Sequence, residues 1–116
     1  MMDELAVRIG ERIRATRKTL GMTQAVLAEH AGMSTQFVAE LEAGKKNMSV
    51  LTLARICEAL NVSPDFMMGM EHEPPTEMDI IIDYLRNLPK EHIPDVVGIL
   101  RAYQSIVCRY EKKSQD

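Results

Sequence analysis

With 116 residues, 46% hydrophobic and 27% charged, the chain has the size and balance of one globular domain carrying a small appendage. No Trp and an aromatic content of 4% leave a core of Leu, Ile, Val, Ala and Met, and no apolar run approaches the roughly 18 residues a spanning helix needs, so a membrane protein is not expected. The net charge of −3 resides in residues 71–116, with nine acids and six bases; residues 1–70 balance eight against eight, which leaves a nucleic-acid partner open.

Met1-Met2-Asp3-Glu4 lacks the basic-then-apolar pattern of a signal peptide, and a cytoplasmic location is expected. Leu5, Ile9, Ile13 and Leu20 line one face of a helix over 4–20, with Asp3 as N-cap and Gly21 as its left-handed stop. Thr23 caps a second helix at 24–31, ended by Gly32. Ser34 caps a third at 35–43, ended by Gly44. Lys45 to Met48 form a loop. Ser49 caps a helix at 50–60 with Leu53, Ile56, Cys57 and Leu60 inward, and Asn61 suits the left-handed position after it. Ser63-Pro64 opens a short helix to Met68. Phe66-Met67-Met68-Gly69-Met70 is expected to close the core, the alternative being a sticky groove for a partner.

Residues 71–76, with Pro74-Pro75, read as a linker. Met78, Ile81, Ile82 and Leu85 then mark a helix at 77–87. Pro89 and Pro94 mark a turn or kink, and a last helix is expected at 94–111, followed by a frayed polar tail. The division is therefore 1–70, 71–76 and 77–116. Cys57 and Cys108 lie in helical apolar patterns and read as reduced, buried thiols. His30, His72 and His92 are dispersed, so neither a metal site nor a cofactor is expected.

The segment 24–41 carries the most information. Leu27, Ala28, Ala31, Met33, Val38 and Leu41 form its buried pattern. Two helices crossing at roughly 90–120° through a short turn need a small residue at the crossing, here Ala28. Gly32 tolerates positive φ in the turn. Val38 and Leu41 anchor the third helix so that its other face projects outward.

Residues 5–68 resemble the phage-repressor-like (lambda-repressor-like, xenobiotic-response-element type) helix-turn-helix domains. The resemblance rests on Ile9-Gly10-Glu11-Arg12-Ile13-Arg14, Arg17, Gly21-Met22-Thr23-Gln24, Leu27-Ala28, Ala31-Gly32-Met33-Ser34, Val38, Leu41-Glu42-Ala43-Gly44-Lys45 and Leu60-Asn61-Val62-Ser63. It implies an all-α, five-helix DNA-binding domain with helix 35–43 in the major groove of double-stranded DNA. It also implies that Thr35, Gln36 and Glu40 face bases, while Gln24, Ser34, Lys45, Lys46 and Asn47 meet the backbone. Gln36 suits adenine, Glu40 suits cytosine N4 and Thr35 a thymine methyl. Arg17 and Glu42 match a structural pair bridging the first and third helices. Met48 departs from the family's usual Pro, and Glu40 sets a negative charge on the reading face. Arg8, Arg12, Arg14 and Lys18 read equally as a solvated helix face.

Ile93, Val96, Leu100, Tyr103, Val107 and Tyr110 are spaced 3, 4, 3, 4, 3, a heptad seam widened by Val97, Ile99 and Ile106. A homodimer interface is expected there, the alternative being a helix packed back on its own domain. The chain is thus expected to be a transcriptional regulator and not an enzyme: a repressor occupying a palindromic operator as a dimer. An antitoxin with a protein partner on its C-terminal helices, and an adaptor that never touches DNA, are the alternatives.

Overall fold

A computed structural model describes residues 3–69 and 75–114, with side chains to Tyr110. His72, Pro74 and residues 71–73 of the expected linker lie outside the described residues, as do Gln115 and Asp116 of the tail. Among the described residues the structure is helical throughout: α1 (Glu4–Thr19), α2 (Gln24–Ala31), α3 (Thr35–Glu42), α4 (Val50–Leu60), α5 (Pro64–Met68), α6 (Glu77–Arg86), a 3-10 turn at Lys90–His92 and α7 (Ile93–Ser114).

Each of the first five helices starts where a side-chain oxygen relieves the unpaired amides of its first turn. Asp3 accepts from the N–H of Leu5, Thr23 from Val26, Ser34 from Phe37, Ser49 from Thr52 and Ser63 from Phe66. Gly21, Gly32 and Asn61 adopt the left-handed conformation expected of them. α6 begins with a capping box not foreseen from sequence, in which Thr76 and Asp79 exchange hydrogen bonds. The Thr76 backbone N–H, then its hydroxyl, and last the charge of Arg12 hold the Asp79 carboxyl below the usual carboxylate range.

The core lies among α1 to α5. Ile9, Ile13, Leu27, Ala28, Val38, Leu41, Ile56, Cys57, Leu60 and Met67 are buried together. Met67 closes this core and Phe66 packs at its edge, whereas Leu5, expected inward, is exposed at the start of α1. A Cβ on Gly10 would fall inside contact distance of the Leu41 and Glu42 carbonyl oxygens, so its absence lets α1 touch the end of α3. Gly44 has a φ of 72°, and a Cβ there would come 2.8 Å from Val7.

Arg12, read from sequence among solvated bases, is buried instead. Its guanidinium donates twice to the Phe66 carbonyl, at 2.6 and 3.0 Å, and lies over the Phe66 ring, 5.0 Å from the centroid. It ties α1 to the end of α5.

α6 packs on this head rather than standing apart with α7. Ile80 is fully buried. Asp83 accepts from the Ser63 amide at 2.9 Å and from its hydroxyl at 3.3 Å, and Asn61 Nδ2 donates to the Tyr84 carbonyl at 3.0 Å. Asn87 Nδ2 returns a bond to the Asn61 carbonyl at 3.3 Å. The expected boundary after residue 76 thus divides two elements that pack as one body. α7 begins at Ile93, so Pro94 falls in its first turn, where a missing N–H costs nothing, and makes no kink. Apart from half-buried Val96 and Val107, its described side chains are exposed. Cys57 is buried as expected; Cys108, also expected to be buried, is instead exposed on α7, most of whose described side chains are exposed.

Candidate nucleic-acid interface

The outward face of α3 is set by what holds its inward face. Val38 and Leu41 are buried against α1 and α2. At the far end, Arg17 of α1 grips Glu42 in two parallel bonds, Nε to Oε2 at 2.7 Å and Nη2 to Oε1 at 3.0 Å. Arg17 Nη1 also donates to the Met22 carbonyl at 2.9 Å. Both side chains are buried, so this planar fork fixes the helix in rotation as well as position.

The remaining residues of α3 are free to face outward. Ser34, Thr35 and Gln36 are exposed at the start of the helix, with the Ser34 hydroxyl occupied in capping. Glu40 follows one turn after Gln36 and is half-buried. It accepts from Gln36 Nε2 at 3.4 Å and pairs with Lys46 Nζ at 3.5 Å, so its charge is neutralised where phosphates would otherwise be repelled. Lys45, Lys46 and Asn47 are exposed in the loop after α3.

Gln24 is expected from sequence to meet the DNA backbone. It is half-buried, and its amide donates to Glu42 Oε1 at 3.1 Å, joining the Arg17–Glu42 pair. Ala39, not singled out from sequence, lies three residues after Gln36 and four after Thr35, on the same face. Helical spacing alone points to it as a small apolar surface of the kind that meets a thymine methyl. Arg12 gave no such signal, because a buried and a solvated arginine look alike in one sequence.

The residues of the seam expected from sequence lie elsewhere. Ile93, Leu100, Tyr103 and Tyr110 are exposed and Val96 and Val107 half-buried along α7. Among the described residues no helix is long and apolar enough to cross a membrane.

The Helix-turn-helix family matches this chain over residues 13–67. The immunity repressor protein of Bacillus phage phi105 is 36% identical over 63 residues, covering 54% of this chain and 44% of the repressor, so the chain spans less than half of that protein. An uncharacterised helix-turn-helix transcriptional regulator, y4dJ of Sinorhizobium fredii, is 34% identical over 55 residues, covering 47% of this chain and 71% of its own length. Among solved structures, the restriction-modification controller protein C.AhdI of Aeromonas hydrophila superposes with a TM-score of 0.52 at 28% identity, covering 54% of this chain and 94% of the controller.

Proposed function

The chain belongs to the helix-turn-helix family of DNA-binding transcriptional regulators, and from that premise we propose that it is a repressor that binds a palindromic operator as a homodimer. The observation that carries the reading is the geometry of α3: buried through Val38, Leu41 and Glu42, it leaves Thr35 and Gln36 outward beside the exposed Lys45 and Lys46. In the major groove, Gln36 exchanges its bond to Glu40 for a bidentate pair with adenine. Lys46 holds Glu40 meanwhile, and Lys45 meets phosphate. Gln24, drawn toward Glu42, acts by stiffening the Arg17 fork.

One head reads few base pairs. Two heads about 34 Å apart double the contacts and demand two-fold symmetry in the site. The exposed apolar face of α7 supplies the association. Repression is steric, through occupation of the site that polymerase needs, and the chain acts by binding alone, in the cytoplasm. The repressor name of the phage relative favours this sign of regulation.

The test is the base preference of Gln36→Ala in the full chain, measured on duplexes varied one base pair at a time. A loss of about 1–3 kcal/mol confined to one base pair per half-site is expected. Lys45→Ala should instead weaken all duplexes alike and reduce the salt slope by about 0.9. A Gln36→Ala protein with the parent's full preference would remove α3 from the groove.

A further inference from the structure

The outward face of α3 carries a bond between two of its own polar residues. Gln36 and Glu40 lie one helical turn apart, and the Gln36 amide donates to Glu40 Oε1 at 3.4 Å. The other carboxylate oxygen, Oε2, stands 3.5 Å from Lys46 Nζ. The two oxygens of Glu40 are thus divided. One is engaged by a neighbour along the helix, the other by a cation in the loop that follows it.

Each residue has the chemistry to read a base by itself. A glutamine amide answers adenine with one donor and one acceptor, and a carboxylate oxygen accepts from cytosine N4. The internal bond and the bidentate pair make opposing demands on Gln36. A bidentate pair holds the amide in the plane of a single base pair. The bond to Glu40 runs along the helix instead, over four residues that span about 6 Å. Successive base pairs are about 3.4 Å apart, so Glu40 lies off the plane that Gln36 must adopt, one or two base pairs along. Gln36 therefore trades one bond for the other, and the trade leaves Oε1 of Glu40 open.

From this exchange we propose that Gln36 and Glu40 read an adenine and a cytosine of the same half-site as one unit, each base releasing the residue that the other needs. This rests on the operator reading above and deepens it by linking two bases of the half-site. The internal bond is broken only once. A duplex with the adenine alone, or the cytosine alone, sets that loss against one new contact; a duplex with both sets it against two. Changing both bases therefore weakens binding by less than the product of the two single changes. The difference is the strength of the internal bond, about two- to fivefold in affinity, the lower part of the range for a hydrogen bond because 3.4 Å is long. Lys46 keeps its hold on Oε2 throughout, so the released oxygen meets cytosine while the charge of Glu40 stays paired.

The experiment uses the full chain and the duplex it enriches from a randomised library. The base pairs under Gln36 and Glu40 are those at which Gln36→Ala and Glu40→Ala lose preference, and adenine and cytosine are expected there. Affinities are then measured for that duplex and for versions changed in one half-site at the first pair, at the second and at both. The doubly changed duplex is expected to bind about two- to fivefold more tightly than independent changes would give. Strictly multiplicative losses would overturn the proposal. Glu40→Ala supplies a readout that a merely structural role would not produce. On the duplex lacking the cytosine, its preference for adenine should exceed the parent's by the same factor, because nothing holds the Gln36 amide back. An adenine preference equal to or below the parent's, or no base pair at which Glu40→Ala loses preference, would also overturn it. Gln36→Ala with the parent's full preference would instead remove the reading of α3 itself.

Discussion

Ile13 and Leu100 hold equivalent places, each central to an apolar stripe that recurs every three or four residues, yet Ile13 is 0% and Leu100 57% exposed. α1 packs against α3, α4, α5 and α6, whereas among the described residues the main neighbour of α7 is the adjoining 3-10 turn. Helical period identifies which face is apolar. What covers the face depends on the rest of the fold, or on another molecule. The head, α1 to α6, buries its stripes within one chain, whereas the apolar face of α7 is exposed, the face to which the proposed dimer assigns a second chain.

The largest contrast lies in charge. Removing one member of a buried ion pair strands the other, so Glu42→Ala or Arg17→Met should cost about 3–5 kcal/mol in denaturant unfolding. The Glu40–Lys46 contact, 3.5 Å long and partly exposed, belongs to the other extreme. An unchanged midpoint for Glu42→Ala would mean the fork carries no load in holding α3.

Within α6 the contrast can be sharpened over one peptide bond. Ile80→Ala empties a buried site and should destabilise the head by about 2–5 kcal/mol, whereas Ile81→Ala should alter head unfolding by no more than about 0.5. By the same logic, a chain ending after residue 70 loses Ile80 and the Asp83 bonds, and is less stable than one ending at Leu88. Equal stability of the two truncations would detach α6 from the head.

The two thiols extend the comparison. Burial, with Asp83 adding, pushes the Cys57 thiol up to about 11. A folded-state value raised above the unfolded one contributes stability that is complete below pH about 8.5 and lost as pH rises toward 11. Cys57 should resist alkylation in the folded protein at pH 8 while exposed Cys108 reacts, giving one modified thiol per chain by mass. Modification of both at equal rates would contradict the burial of α4. A similarly small effect is expected of Lys46→Gln, which should change stability by at most about 0.5 kcal/mol because a partly exposed pair is screened and flexible.

Much of the head was readable in the sequence because its signals are local. Asp3, Thr23, Ser34, Ser49 and Ser63 each mark a helix start through one side-chain oxygen, and Gly21, Gly32 and Asn61 mark helix ends through a permitted φ. The outward position of Thr35 and Gln36 followed from the inward pattern of Val38 and Leu41. What stayed hidden depends on residues distant in sequence. Arg12 meets Phe66 54 residues away, and Ser63 meets Asp83 20 residues on. Gly10 matters only because α3 lies against it. Gln24 turns to Glu42 instead of outward, a choice between two polar partners that helix periodicity does not make.

The proposal joins the buried head and the exposed arm in one function, the reading of a two-fold site. The direct test is selection of the full chain and of Leu100→Asp from a randomised duplex library. The account predicts that the full chain enriches a palindrome with half-sites about one helical turn apart, and that Leu100→Asp, folded and monomeric, enriches at most a weak single half-site. Enrichment of the same palindrome at the same affinity by Leu100→Asp would contradict it.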